Sequence, residues 1–186
     1  MLKKVIPTLS IFLLSFILVG RATPAAAADG ISIDAGYQFL WSSSSGQTTT
    51  VPLGATAGVS IPLSSPWSVV GDVSWGQKSD IAFAGSSTTI LTFGAGARYT
   101  PVTMSTFAPY FQAVVGIERT SVSGTFAGFG SVSSSDSNLM IQPGVGGTFA
   151  AGPLKAFVEG DYRRVFATVA DNDLVVRAGI VLTLGK

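Results

Sequence analysis

Charged side chains are scarce in this 186-residue chain, so the places where they gather are where chemistry is to be sought. In LKAFVEGDYRRV (154–165), Lys155, Glu159, Asp161 and Arg163 share one parity. Successive side chains of an extended backbone point to opposite sides, so these four lie on one face. Asp34, Asp72, Arg98, Glu118 and Arg177 fall on the equivalent polar file of other segments. Enclosed together, such acids and bases are costly unless paired. They admit two readings: a cross-linked network filling a sealed interior, or opposed charges lining a narrow, gated water path. We expect the first. Catalysis has little to work with. The chain has no His and no Cys, which removes Ser-His-Asp and Cys-His arrangements, His-containing zinc sites and thiolate metal sites. The stretch GTFAGFGSVSSSDSN has serines but no G-x-S-x-G and no base beside them, and reads as a mobile polar loop. No catalytic residue, metal or cofactor is expected.

What positions this charged file is a series of strands. No stretch after the first 28 residues shows a sustained 3.6-residue apolar period, whereas period-2 alternation recurs. In ISIDAGYQFLW (31–41), Ile31, Ile33, Ala35, Tyr37, Phe39 and Trp41 oppose Ser32, Asp34, Gly36 and Gln38. In 51–63 the apolar file runs from Val51 through Leu53, Ala55, Ala57, Val59 and Ile61 to Leu63. Similar strands are predicted over 67–76, 90–100, 107–118, 139–150, 154–165 and 174–186, eight in all. Each approximates the ~9–11 tilted residues that cross a bilayer. Connections alternate: 42–50, 77–89, 119–138 and 166–173 are long and rich in Ser, Thr, Gly and Asp, while 64–66, 101–106 and 151–153 are short. Short turns at one end and long loops at the other are the layout of an up-and-down membrane barrel.

The start of the chain reads as a secretion signal. Lys3 and Lys4 precede the apolar run IFLLSFILV (11–19), and TPAAAAD offers A-x-A cleavage after Ala27 or Ala28. Residues 1–28 are therefore expected to be removed, leaving 29–186 as one domain. Losing Lys3, Lys4 and Arg21 takes the formal charge from +1 to −2, which gives no reason to expect a nucleic-acid partner.

Alternation alone does not separate a membrane barrel from a soluble β-domain; the polar face does. Charged residues are 11% of the chain, against about 25% in soluble proteins. The second file is mostly Gly, Ser, Thr and Gln, which suits the crowded lumen of a small barrel, where side chains fill the interior. Reversing the 154–165 strand would aim its charges at lipid, at up to ~2–4 kcal/mol for each basic residue near the midplane. Arg164 breaks the alternation, but near the strand's outer end its stem can snorkel. Aromatics add a second sign. Phe39, Trp41, Trp75 and Tyr162 gather towards the long-loop end, and Trp67, Tyr99, Phe107 and Phe149 towards the short-turn end, as interfacial girdles do.

The chain resembles the small eight-stranded outer-membrane barrels, the OmpA/OmpX-like group and the outer membrane protein beta-barrel domain family. The resemblance covers about 29–186 and is carried by ISIDAGYQF after the signal, by FGAGARYTP and FVEGDYRR at strand ends, and by VVRAGIVLTL near the C-terminus. It implies an all-β, eight-stranded antiparallel up-and-down transmembrane β-barrel in the bacterial outer membrane, with lipid and the outer-membrane assembly machinery as partners. Family members usually finish on an aromatic residue that this machinery is thought to read; here the chain finishes Leu184-Gly185-Lys186, which bears on how efficiently it is inserted. Barrel enzymes such as the proteases and lipid A modifiers use a catalytic His, which this chain lacks.

The expected function is therefore non-enzymatic: envelope integrity, or surface interaction through the outer loops, whose partner the sequence leaves open. Two alternatives are a narrow, porin-like small-solute channel and a soluble periplasmic barrel with an apolar ligand inside.

Overall fold

Alternating residues make strands with one greasy face, and such strands are stable only when that face is covered and their edges are paired. In a computed structural model this is met by closure. The structure describes residues 30–44, 47–79, 85–126, 130–151, 154–168 and 171–184, and the predicted signal lies outside them. The strands are β1 (Ile31–Ser44), β2 (Gln47–Val51), β3 (Leu53–Ser64), β4 (Trp67–Ser79), β5 (Ser86–Tyr99), β6 (Phe107–Phe126), β7 (Gly130–Ala151), β8 (Leu154–Val165) and β9 (Asp171–Leu184). Each pairs antiparallel with its neighbour. β2 and β3 both pair with β1 and form a single stave, so the barrel has eight. It closes along β1 and β9, in register from Ile31↔Leu184 to Ser43↔Asn172.

The faces follow the alternation. Ile33, Val59, Phe93, Val115, Ile117, Leu139, Val158, Ile180 and Leu182 are exposed on the outside, Val115 at 55%. Inside, Gln38, Thr56, Thr92, Gln112, Gln142 and Glu159 are buried. An apolar belt outside and a polar filling inside are the inverse of a soluble barrel and the pattern of a transmembrane one. They also contradict the soluble alternative, in which the apolar file would line the interior.

Two expectations are corrected. Val51 does not continue the outward file of Leu53. Pro52 interrupts the stave, Pro52 and Leu53 are both exposed, and Val51 is buried opposite Leu40. Proline has no N–H for the ladder, and the break there shifts the phase by one residue. Within 119–138, the described residues 119–126 and 130–138 are strand, not loop. The β6–β7 ladder runs from Phe107↔Phe149 to Phe126↔Gly130 without a register shift. The extended pairing satisfies its own backbone groups, so it needs no apolar face to persist, and an alternation of Ser, Thr and Gly carries little face information.

Candidate functional site

The lumen is built mainly from β8 and the glycines beside it. Glu159 and Asp161 register against Gly146 and Gly144 of β7. A Cβ on Gly144 would fall 1.8 Å from Asp161 Oδ1, so that glycine is the space the carboxylate occupies. On the other side of β8, Glu159 registers against Arg177 and Arg163 against Asp173.

Arg177 is the centre of the lower network. Its Nε donates to Asp161 Oδ2 at 3.0 Å, its Nη1 to Asp72 Oδ2 and, at 3.3 Å, to Thr56 Oγ1, and its Nη2 to Glu159 Oε1. One guanidinium thus joins β9 to β3, β4 and β8 across the lumen. Glu159 is shared: Tyr110 donates its hydroxyl to Oε2 at 2.8 Å, and Gln112 donates to Oε1 at 2.7 Å. Arg98 sits below, with Nε and Nη2 donating to Gln112 Oε1 at 3.1 and 2.8 Å, its guanidinium 4.1 Å from the Tyr110 ring centre, and Nη2 3.8 Å from Glu159 Oε2. Asp34 is half-buried on this level, beside a void of about 10 Å³ that Arg98, Asp72 and Arg177 also border.

A second cluster lies nearer the long-connection end. Arg163, 0% exposed, donates from Nε to Gln142 Oε1 at 2.8 Å and from Nη1 to Glu118 Oε2 at 3.2 Å. Thr120 donates to Glu118 Oε1 at 3.4 Å. Beside it, on the β1, β2, β5 and β9 wall, Leu40, Val51, Ile90 and Val175 pack together as a buried apolar cluster.

Eight of the nine predicted lumen charges thus line one interior: Asp34, Asp72, Arg98, Glu118, Glu159, Asp161, Arg163 and Arg177. Lys155 has the right parity but stands exposed at the short-turn mouth, where its Nζ donates to Thr183 Oγ1 at 3.4 Å. The nine predicted charges, five acids and four bases, are not the whole set. Asp173 is buried and Asp171 half-buried on the inward file of β9, in a segment assigned to a loop, so the interior is rich in acids. Tyr110, Gln112, Gln142 and Thr56 were readable as inward-facing but not as members of the network; parity places a side chain on a face and does not say which opposite strand it reaches.

The aromatic positions are distributed over both ends. Trp67 pairs directly with Tyr99, ring centres 4.9 Å apart, and Phe107 with Phe149, also 4.9 Å. Towards the other end Phe39 and Trp41 are 4.3 Å apart, Trp41 and Tyr162 both register against Leu174, and Trp75 lies opposite Ala55 and Leu91. Arg164, off the inward file, donates from Nη1 to Asn172 Oδ1 at 3.0 Å and stands 5.8 Å from the Phe166 ring centre.

Chemically, this lumen is a crosslinked plug. The two arginine clusters and the apolar cluster occupy it, and the void among the charges is at the ~10–15 Å³ limit for a single water. No group of three or more metal-ligating side chains occurs among the described residues.

The model of the outer membrane protein beta-barrel domain family matches residues 11–183. Among solved structures, Neisserial surface protein A superposes with a TM-score of 0.68 at 17% identity, covering 84% of this chain and 98% of that one. Ail, the attachment invasion locus protein of Yersinia pestis, gives a TM-score of 0.56 at 18% identity, with 82% and 99% covered. The same Ail in complex with the heparin analogue sucrose octasulfate gives 0.56 at 17% identity, with 82% and 99% covered. No curated protein sequence matches the chain significantly.

Proposed function

The chain belongs to the outer membrane protein beta-barrel domain family, and from that premise we propose that it is a non-enzymatic, sealed barrel of the bacterial outer membrane that holds its outer hairpins at the cell surface for interaction. In this reading residues 1–28 are removed on export. The apolar belt contacts lipid after insertion by the outer-membrane assembly machinery. The short-turn end, where β1 begins and β9 ends, faces the periplasm.

The observation that carries the proposal is the β6–β7 hairpin. Its outward apolar file stops at Ile117 and Leu139, yet the paired strands continue to Phe126↔Gly130. At about 3.3 Å per residue this is roughly 25–30 Å of ladder beyond the belt. A plugged lumen gives such an extension no transport role, whereas a rigid stem is suited to presentation. The same plug weighs against the solute-channel alternative. The name of Ail refers to attachment and invasion, and one Ail structure contains a heparin analogue. Around its long connections this chain sets Lys78, Arg119 and Arg164 against Asp80 and Asp136, an excess of a single cation. That falls short of the basic excess a sulfated polyanion requires, so the surface better fits a neutral, hydroxyl-rich partner that pairs with its Ser and Thr.

An epitope inserted between Phe126 and Gly130 is expected to bind antibody on intact cells, while an epitope at the C-terminus becomes accessible only after permeabilisation. Labelling of the hairpin only in opened cells would overturn the proposal.

A further inference from the structure

The short-turn mouth has a different chemistry from the plug above it. A cavity of about 170 Å³ opens there, many times the ~10–15 Å³ that one water needs. Its charged lining consists of Arg98 and Lys155; none of its described lining residues is Asp or Glu. Arg98 reaches Glu159 on the plug side, Nη2 to Oε2 at 3.8 Å, whereas Lys155 has no ion pair among the described residues. Hydroxyl groups surround the cations. Ser32 of β1, Ser60 of β3, Ser68 of β4 and Thr148 of β7 all line the cavity, placing donors around its rim rather than on one wall.

The cations have capacity to spare. Arg98 uses Nε and Nη2 on Gln112, and among the described residues no hydrogen bond is made by its Nη1. Lys155 has its single described hydrogen bond to Thr183, leaving further ammonium protons for a ligand. Arg98 also borders the small void on the plug side, so it forms the inner end of the cup, between it and the acidic interior.

We propose that this cup binds a small phosphate-bearing anion. A tetrahedral oxyanion accepts hydrogen bonds from several directions at once, which suits donors on six staves; a planar carboxylate would engage fewer of them. Lysine serves phosphate as a point charge, and arginine through directed N–H donors. The size admits a phosphate with a few attached carbons, presented either by a soluble phosphate or by the headgroup of a lipid in the facing leaflet.

The test uses the folded barrel in phosphate-free maltoside micelles, followed by amide NMR. In one arm inorganic phosphate is titrated at constant ionic strength against sodium chloride. In the other the micelles are doped with phosphatidylglycerol or with the corresponding diacylglycerol. Saturable shifts at Ser32, Ser60, Ser68 and Lys155 with phosphate identify a soluble ligand; the same shifts with phosphatidylglycerol alone identify a headgroup. In either case Lys155→Gln, at an exposed rim position, is expected to weaken binding about tenfold, as loss of one hydrogen bond to a charged group implies. Lys78→Gln, on β4 towards the far end, leaves it unchanged. Non-saturating shifts in both arms, shifts matched by chloride, or equal binding by Lys155→Gln would overturn the proposal.

Discussion

Replacing Arg177 by methionine is expected to destabilise the barrel by about 3–5 kcal/mol, the cost typical of removing one partner from a buried ion pair. The size follows from what is left behind. Asp72, Glu159 and Asp161 all accept from this guanidinium, and its side chain is 3% exposed. Without it three carboxylates face one another in a space that holds about one water. The effect belongs to the orphaned charges, not to a large net benefit of the ion pairs, since intact buried pairs roughly offset their own desolvation. The triple change Arg177→Met, Glu159→Gln, Asp161→Asn is therefore expected to recover much of the loss. Urea unfolding from lipid vesicles, followed by the fluorescence of Trp41, Trp67 and Trp75, measures both. A loss for Arg177→Met below ~1 kcal/mol, as for an exposed pair, would mean that the clamp is solvated and the lumen open.

Gly179→Val is expected to cost about 3 kcal/mol, the upper part of the usual overpacking range, and to lower the temperature at which the barrel loses its compact, fast migration on a detergent gel. A Cβ at Gly179 would lie 2.2 Å from the Ala35 carbonyl oxygen, 2.5 Å from Gly36 Cα and 2.7 Å from Phe157 Cε1. Two of these are backbone atoms of β1, in the seam that closes the sheet. Backbone there cannot withdraw without parting the ladder, and Gly36, directly opposite, is equally confined: its own Cβ would meet the Ala178 oxygen at 2.3 Å. Gly160→Ala is the control. It lies on the outward file of β8 and a Cβ there meets nothing within 4 Å, so the barrel is expected to tolerate it. Equal behaviour of the two variants would show that β1 and β9 are not held at this distance.

Much of this architecture was legible because a membrane barrel writes one instruction repeatedly. Each stave must present apolar groups to lipid and small or polar groups to the lumen, so the phase of β8 followed from four charges of one parity. The failures lie where that instruction lapses. Val51 was placed outside because Pro52 is silent in an alternation count, although it breaks the ladder. Asp173 was assigned to a loop because polar residues near a strand end resemble a turn; continuing the alternation back from Val175 would have placed it inside. Past Ile117 and Leu139 neither face of the hairpin carries a continuous apolar file, so Ser and Thr on both sides gave no period to read. Lys155 had the correct parity, but depth along the barrel depends on stagger between staves, which a single strand does not encode. For the same reason the partners of Arg177, drawn from three other staves, became visible only in the closed sheet.

The Arg98 and Arg177 network, the Arg163 cluster and the apolar cluster of Leu40, Val51, Ile90 and Val175 together fill the lumen. Single-channel recording of the purified barrel in planar bilayers tests this directly. The expected result is an absence of steady conductance steps, because the charged network and the apolar cluster beside it leave no continuous water path. Reproducible single-channel steps that disappear on changing Arg98 or Arg163 would contradict it and identify the arginine clusters as the lining of a pore.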